Sequence, residues 1–541
     1  VVLDLGENLG PLVQQRIAAH LEPWLRRVPS GEKHDAELVE GLVDAIVNKA
    51  PCPGSAAAAS SSGMPLLLLS LGNTAASRRL LSDVDPTKTA AAEGFVLSTF
   101  AASSCAAAVA ADGNPMREDT PHSRWDSAAD RLAEVALPFQ VSTGAVTAAY
   151  AALEALGFAF LHPLAPVQPL RLRPLVATTR RAESPHWPIR GFHVHTQHPL
   201  ELTDVLQGFD IAAGGRDNAG DATSGRSESG GSRGGSVSSS SRDGTGKGSA
   251  DGKSGGGGGG ENDIRTGQNH RAAGTANSVF CNGAYYSESW ESMLDDVEAF
   301  FEWCAVNRVN RVEWMLLGDS RWGEAAASPL RQVRLRRLIG IAHGFGVLAG
   351  ADVPLALRQQ HAWYMVRTGD APDVQQRAIQ NRCNWVDAGF DFISTEAGLS
   401  EFHAPGDAVM LRLMNDFALH VNGTLGLPAS IKVHCSTEQL CDAHDDPRYA
   451  DKAERRPLNF NYLPTFAVPE LGVMPHTVQA YGLDDPTANV YGNADFGETL
   501  EYALWEARQG RRSVVYYGET AYWVSVDVDV PLFLPVYGER R

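Results

Sequence analysis

Two glutamates stand at the ends of apolar segments, where a carboxyl group can transfer a proton or attack an electrophilic carbon. Glu396 lies in FDFISTEAG (390–398), and Glu519 lies in SVVYYGETAYW (513–523). Hydrolysis of a glycosidic bond needs such a pair: one acid protonates the departing oxygen, and a second carboxylate attacks the anomeric carbon or activates water. We therefore expect Glu396 to be a general acid/base and Glu519 a nucleophile.

The apolar surroundings of these glutamates are what makes them candidates. An acid within an apolar strand loses hydration, which perturbs its pKa more than exposure on a helix would. The alternative interpretation is that each glutamate is a partly solvated strand-end residue paired with an arginine. Glu401, in the following segment GLSEFHAP, is a possible alternative acid.

A second set of residues near the same strand ends is suited to holding a sugar. Alternate residues of a strand face one side, so two histidines two positions apart can both hydrogen-bond hydroxyls, and aromatic rings stack on the apolar faces of sugars. The expected substrate contacts are His193, His195, Asp352, Trp314, Tyr517 and Trp523.

Metal-competent atoms also occur together in one stretch of sequence, which contains His434, Cys435, Cys441 and His444. Adjacent residues of a strand point to opposite faces, and this spacing matches no standard zinc pattern. The seven cysteines are odd in number and lack CxxC spacing. We expect neither a metal nor a cofactor, although a metal-assisted hydrolase or lyase would follow if this stretch converged with Asp352.

Composition excludes some partners. The formal net charge of −18 argues against nucleic-acid binding, which uses clustered Lys and Arg, and favours a neutral or weakly charged substrate. With 43% hydrophobic residues and no apolar run of about 20 residues, the sequence predicts a soluble globular protein without a membrane span.

The elements that must position these side chains fall into two groups. Residues 1–180 alternate helical patterns with short apolar strands and predict a small α/β domain, in which 101–136 is interpreted as a surface loop. Residues 213–279 are rich in Gly and Ser and predict a disordered insertion, because they offer almost nothing to bury.

The second group, 186–541, alternates apolar strands with helices. Seven strands are expected at 188–196, 311–317, 346–355, 390–398, 430–436, 477–483 and 513–523, and an eighth near 531–538. This pattern predicts a (β/α)8 barrel of the TIM type, whose active sites lie at the C-terminal strand ends. An open doubly wound sheet is the alternative, but no Gly-rich phosphate fingerprint follows the first strand.

Two segments carry a resemblance to a known group of enzymes. GAVTAAYAALEALGFAFLHPLAP (144–166) followed by PIRGFHVHTQHP (188–199) resembles the junction between the small α/β domain and the barrel in hexosaminidase-like and α-glucuronidase-like glycoside hydrolases. The resemblance implies this two-domain layout. Hexosaminidases of that type use an adjacent Asp-Glu pair at strand four, where this chain has Ser394-Thr395-Glu396, a departure that argues against acetamido-assisted chemistry.

The expected function is thus a retaining glycoside hydrolase acting on an oligo- or polysaccharide. Its rivals are a barrel protein that binds carbohydrate without turnover and the metal-assisted enzyme. Analogy with barrel enzymes that act on polymers favours a secretory location, and the sequon at Asn422 would permit glycosylation there. Oligomeric state is left open.

Overall fold

The computed structural model describes residues 2–5, 9–24, 66–71, 95–102, 105–112, 143–173, 180–183, 185–194, 205–208, 289–316, 328–357, 364–383, 388–399, 403–437, 439–450, 455–478, 486 and 491–519. The expected insertion at 213–279, the expected eighth strand at 531–538, and His195, Glu401 and Trp523 lie outside these residues. The chain divides into two units, and 210–289 forms the second. The elements below belong to the first.

A five-stranded mixed sheet occupies the N-terminal part of the chain. Its strands are β1 (Val2–Leu5), β2 (Leu66–Leu71), β3 (Phe95–Ala102), β4 (Cys105–Asp112) and β5 (Arg180–Glu183), in the order β1-β2-β4-β3-β5. β1, β2 and β4 are parallel, whereas β3 runs antiparallel to β4 and β5. Helix α1 (Gly10–Leu21) follows β1, and helix α2 (Thr143–Ala155) packs against β3 and β4.

The interpretation of 101–136 as a surface loop is wrong for its first part. Residues 105–112 form β4, which pairs with β3 along its whole length and with β2 over residues 105–110. The sequence CAAAVAAD is rich in alanine, which has a low intrinsic preference for strands. Pairing on both edges overrides that preference, and residues 113–136 lie outside the described part of the chain.

A seven-stranded parallel sheet lies in the larger, C-terminal part of the chain. Its strands are β6 (Gly191–Val194), β7 (Arg311–Met315), β8 (Leu348–Asp352), β9 (Phe392–Glu396), β10 (Ala429–Val433), β13 (Leu471–Thr477) and β14 (Tyr517–Gly518). Between β10 and β13, the chain forms a separate short antiparallel pair, β11 (Leu440–Asp445) and β12 (Pro457–Asn459). Each strand of the sheet pairs with its neighbour in chain order.

This sheet is curled. The hydroxyl of Tyr517 on β14, at one end of the sheet, lies 3.0 Å from Nδ1 of His193 on β6, at the other end. Sequential parallel order together with curling is consistent with a TIM-like fold, because an open doubly wound sheet reverses its strand order at a switch point.

Five helices connect the strands: α3 (Leu294–Val306), α4 (Pro329–Gly344), α5 (Pro372–Arg382), α6 (Asp407–Ala418) and α7 (Gly497–Gln509). Local sequence sets several ends. Ser328 caps α4 through the backbone N–H of Arg331, Pro329 occupies its first turn, and Gly510 ends α7 with a φ of 60°. No helix among the described residues is long and apolar enough to span a bilayer.

A buried carboxylate on helix α3 connects this helix to helices α1 and α2 of the N-terminal part of the chain. Glu302 on α3 is 2% exposed and accepts hydrogen bonds from Arg16 on α1 and from the hydroxyl of Tyr150 on α2, at 2.9 and 2.7 Å, while Nε2 of His20 lies 2.8 Å from it. Burial alone would raise the pKa of Glu302, but its bonds to His20 and Arg16 lower it. α1 and α2 are thereby held on α3.

Six of the seven expected strand segments contain most or all of a strand of this sheet, although the last, expected at 513–523, contains only the two-residue strand Tyr517–Gly518. The segment expected at 477–483 is misplaced. The strand is Leu471–Thr477, whereas the sequence pattern indicated 477–483. Residues 471–477 contain Gly472 and Pro475, which break the appearance of a strand, yet all seven are buried between β10 and β14. The error shifts the expected strand by about its own length.

Packing inside the sheet depends on a glycine. A Cβ added to Gly350 on β8 would lie 2.1 Å from the ring of Phe392 on β9, and that ring is itself covered by the guanidinium of Arg311, 3.5 Å from its centroid. The absence of a side chain at 350 therefore lets the ring of Phe392 lie in the interior.

We expect Gly350→Ala to lower the free energy of unfolding by about 1–3 kcal/mol, because the ring must move out of a well-packed position. Gly340→Ala is the matched control: it lies inside α4, nothing stands within 4 Å of its added Cβ, and it should raise stability by about 0.5–1 kcal/mol. Urea denaturation of both variants measures the effect. Equal stability of Gly350→Ala and wild type would contradict this packing.

Candidate active site

Strand register gathers the polar side chains on one face of the curled sheet. Residues paired across parallel strands project to the same side, and alternate residues along a strand do so as well. His193 pairs with Glu313, and Glu396 pairs with Lys432. Following the register through all seven strands gives one polar set, called here the inner face: His193, Glu313, Asp352, Ser394, Glu396, Lys432, His476 and Tyr517.

Trp314 does not belong to this face. It is 1% exposed, its neighbour in sequence Glu313 projects inward, and its ring centroid lies 5.3 Å from that of Phe390. On the same outer side, Phe192 stacks on Trp303 of α3. The expectation that Trp314 contacts substrate is therefore not met by its position, because strand alternation turns it toward the helices.

At the C-terminal end of β9, Glu396 forms an ion pair with Lys432 from β10. Both side chains are 10% exposed. Burial, reinforced by the charge of Asp352, raises the pKa of Glu396, while the ammonium of Lys432 opposes the shift. Burial alone would lower the pKa of Lys432, but the charge of Glu396 raises it. Lys432 therefore stays protonated beside a carboxyl group that binds a proton more readily than usual.

Asp352, His193 and Tyr517 form a hydrogen-bonded chain across the inner face. Nε2 of His193 lies 2.9 Å from Oδ2 of Asp352, and its Nδ1 lies 3.0 Å from the hydroxyl of Tyr517. Burial alone would lower the pKa of His193, but the bond to Asp352 raises it. With its proton on Nε2, neutral His193 donates to Asp352 and accepts from Tyr517.

The second carboxylate oxygen of Asp352 is one of the buried polar atoms without a hydrogen-bond partner among the described residues. The residue is 1% exposed, and its Oδ1 has no hydrogen-bond partner among the described residues. A buried acceptor without a partner costs roughly 1–3 kcal/mol, and it commonly serves a ligand or a catalytic step. Oδ1 of Asp352 is thus an acceptor that a bound hydroxyl or N–H can satisfy.

The interior below the site is closed by side chains nearer the N-terminal strand ends. Ser394 on β9 donates a 2.7 Å hydrogen bond to Glu313 on β7, and both are buried. Arg311 stacks on Phe392 one layer further down. Among the described residues, side chains therefore fill the interior at the N-terminal strand ends.

Two further histidines lie beside Lys432. His434 accepts a 3.1 Å hydrogen bond from the backbone of Ser436 at Nδ1, so a neutral ring carries its proton on Nε2. Burial, with the nearby charge of Lys432, lowers the pKa of His434 to about 3. The ring of His476 lies 5.6 Å from that of His434 and 4.7 Å from that of Tyr517. The His434 ring is therefore neutral at physiological pH.

Glu519 continues the line of β14. Its backbone N–H donates a 3.0 Å bond to the carbonyl of Thr477, which extends the pairing with β13 beyond Gly518. Two residues after Tyr517, it projects to the same face and is half-buried, and its charge contributes to the raised pKa of Tyr517, for which burial is the largest cause. Glu396 and Glu519 thus follow the fourth and seventh strands of the sheet on one face.

Sequence reasoning named four members of the bonded network, His193, Asp352, Glu396 and Tyr517, but missed Lys432. A signal for it existed, because a lysine in the middle of the apolar segment SIKVHCS is as unusual as the glutamate in FISTE. Glu313, inside RVEWM, carries the same signal.

The 434–444 stretch does not converge as a whole with Asp352, which is the condition that the metal-assisted alternative requires. His434 lies near Lys432, whereas Cys441 and His444 lie beside Asp407, the first residue of α6. Within the described ranges, Asp407, Cys441 and His444 are the one group of three whose donor atoms are close enough to hold a metal ion.

No protein-family profile and no curated protein matches the chain. Among solved structures, a β-hexosaminidase from Streptomyces plicatus is 10% identical, with a TM-score of 0.41, over 95% of this chain and 69% of that one. A GH20 exo-β-N-acetylglucosaminidase from Vibrio harveyi is 9% identical, with a TM-score of 0.37, over 95% and 56%. An exo-β-1,4-mannosidase from an Opitutaceae bacterium is 13% identical, with a TM-score of 0.25, over 41% and 47%. These values are too low to assign an activity.

The lowered pKa of His434 should make the stability of the protein depend on pH. Between its folded-state pKa of about 3 and its ordinary value of 6.5, the unfolded chain binds a proton that the folded chain does not, so stability falls as the pH falls through this window. His434→Asn, whose amide oxygen can still accept from Ser436, should reduce this slope by up to about 1.4 kcal/mol per pH unit.

Urea denaturation at several pH values between about 4 and about 7, the range in which an ordinary histidine titrates, measures the slope. His186→Asn, at an exposed position, is the control and should keep the slope of the wild type. Indistinguishable slopes in His434→Asn and wild type would show that the ring is not held neutral by its surroundings.

Proposed function

We propose that this chain is a glycoside hydrolase in which Glu396 is the general acid/base. The observation that carries the proposal is a buried carboxyl group of raised pKa at the C-terminal end of the fourth strand, close to the unsatisfied Oδ1 of Asp352. A general acid needs a pKa above the ordinary carboxyl value, and burial shifts the pKa of Glu396 in that direction.

Lys432 has a definite part in this chemistry. When Glu396 gives its proton to the glycosidic oxygen, the leaving group departs as an alcohol and the carboxyl group becomes a carboxylate beside the ammonium of Lys432. The ion pair stabilises that carboxylate and holds its orientation. In the second half of the reaction, the carboxylate takes a proton from the attacking water and returns to its starting state.

Asp352 is proposed as a substrate contact, in agreement with its buried free oxygen. Its Oδ2 is occupied by His193, which fixes the carboxylate plane, and Oδ1 is left to accept a sugar hydroxyl. Tyr517 fixes the other nitrogen of His193 in turn. The binding acceptor is therefore held by a chain of side chains on three strands and needs little reorganisation on binding.

The second catalytic carboxylate is proposed to be Glu519, acting as nucleophile in a retaining mechanism. Its place directly after the seventh strand, two residues beyond Tyr517, supports this assignment. Asp352 is the rival, because its charge acts directly on Glu396. In retaining enzymes the two carboxyl groups are about 5–5.5 Å apart, and in inverting enzymes about 6.5–9.5 Å.

We further propose that the curled sheet belongs to an eight-stranded barrel whose eighth strand lies at 531–538. The chain would then have two domains, a small α/β domain at 1–180 and the barrel domain at 186–541. The sequential strand order and the approach of Tyr517 to His193 support the barrel. The proposed substrate is a carbohydrate, whose many hydroxyls suit a face that mixes carboxylates, histidines and a tyrosine.

Replacement of Glu396 tests the acid/base role. On a glycoside that the wild type hydrolyses, chosen from a panel of aryl and alkyl glycosides, Glu396→Gln should lower kcat/KM about 10²–10⁴-fold. The loss should be much smaller with a 2,4-dinitrophenyl leaving group, because that phenolate departs without a proton. Glu470 is exposed and lies just before β13, at the N-terminal end of the strands. Its replacement, Glu470→Gln, should therefore retain wild-type activity.

Two results would contradict the proposal. If Glu396→Gln lost activity equally with every leaving group, Glu396 would not be the acid. If the wild type bound glycans but hydrolysed no member of the panel, a carbohydrate-binding protein without turnover would explain the fold better.

A trapping experiment separates Glu519 from Asp352. A 2-deoxy-2-fluoroglycoside with a good leaving group should form a stable ester on the peptide containing Glu519, seen by mass spectrometry, and Glu519→Gln should abolish it. Asp352→Asn should retain the trapped ester but shift the basic limb of the kcat/KM profile to lower pH, because it removes a charge that raises the pKa of Glu396. Trapping on Asp352, or inversion of the product's anomeric configuration, would overturn the role of Glu519.

A further inference from the structure

Three side chains with metal-binding atoms meet on the side of α6, at the antiparallel pair β11–β12. One donor atom from each of Asp407, Cys441 and His444 lies within 4.8 Å of the other two. Asp407 and Cys441 are 5% and 7% exposed, and the side chain of His444 is 21% exposed. The proposed hydrolytic site does not use any of them.

An irregularity in β11 brings Cys441 and His444 together. Residues three apart in a regular strand face opposite sides, so these two side chains would diverge. The register of β11 against β12 shifts between Leu440 and Asp445, and such bulges re-aim side chains. Both side chains therefore turn toward the start of α6.

The start of α6 is shaped to meet them. Gly406, with a φ of 91°, turns the chain into the helix and places Asp407 at its first position. The Oδ2 of Asp407 accepts a 2.9 Å hydrogen bond from the backbone of Ala443 and lies 2.7 Å from the Nδ1 of His444. The carboxylate is thus held against the strand β11, which carries the other two ligands.

The donor set identifies the ion. Thiolate, imidazole and carboxylate together are typical of Zn²⁺, whose bonds of about 2.0–2.3 Å place neighbouring tetrahedral ligands about 3–4 Å apart. Calcium and magnesium prefer oxygen ligands only. One carboxylate and one thiolate balance the two charges of the ion, which also offsets the unfavourable position of a cation at a helix N-terminus.

We propose that Asp407, Cys441 and His444 form a zinc site that fastens β11 to the start of α6. Solvent reaches the site past His444, so water can supply the fourth ligand. On binding, the thiol of Cys441 loses its proton to solvent as the zinc–sulfur bond forms, and no oxidation or reduction occurs. Because zinc displaces this proton, binding should strengthen as the pH rises.

The rival explanation is that Asp407 and His444 form only a hydrogen-bonded pair, which holds β11 against the start of α6. In that case Cys441 is a buried thiol without a function, and its replacement would not change metal binding. The two explanations therefore differ in what Cys441 does.

The test uses the full chain without a histidine tag, stripped with a chelator and titrated with Co²⁺ and Zn²⁺. We expect about one equivalent to bind tightly and Co²⁺ to give a thiolate charge-transfer band in the near ultraviolet. Cys441→Ser should lose the band, and Cys441→Ser and His444→Asn should each weaken Zn²⁺ binding roughly tenfold or more.

Cys383→Ser is the matched control, because Cys383 is also a free buried cysteine but lies at the end of α5. It should keep both the band and the affinity. Circular dichroism of each stripped variant shows whether it is folded, and His444→Asn provides a second variant that leaves the thiol in place. Failure of the folded wild type to bind either ion, or a band that persists in Cys441→Ser, would overturn the proposal.

Discussion

The register of the parallel sheet is the constraint on which the candidate site depends. Seven neighbouring strands pair in chain order, so one residue in two on each strand projects to the same interior. Charged residues occupy those positions on β7, β8, β9 and β10, and an unpaired charge in such a place costs several kcal/mol. Each is accordingly held by a partner from another strand: Ser394 for Glu313, His193 for Asp352, and Lys432 for Glu396.

This pairing determines which polar atoms of the inner face already have a partner. Lys432 is occupied by Glu396, and both nitrogens of His193 are occupied by Asp352 and Tyr517. Oδ1 of Asp352 is the buried carboxylate oxygen of this network without a partner among the described residues. The same low-dielectric interior that strengthens the ion pairs also raises the pKa of Glu396.

Polar contacts outside the interior keep the strands in this register. Asn310, just before β7, accepts from the backbone of Arg190 and donates to the carbonyl of Pro188, at 2.9 and 2.7 Å, which aligns the start of β6 with β7. The helix before β7, α3, is in turn tied to α1 and α2 through Glu302. The N-terminal helices thus support the elements that carry His193 and Glu313, and the inner face is built on a scaffold that includes them.

The sequence by itself determined the strand alternation, the segments of most strands and the four network residues that it named, because apolar periodicity and an acid at a strand end are local signals. It could not determine partners. Lys432 meets Glu396, and Cys441 and His444 meet Asp407, through pairing register and a bulge that no local pattern encodes. Trp314 and β4 were misread for the same reason: the face that a side chain takes, and whether an alanine-rich segment becomes a strand, are decided by the neighbours on either edge. Only the tertiary structure decides which strands those neighbours are.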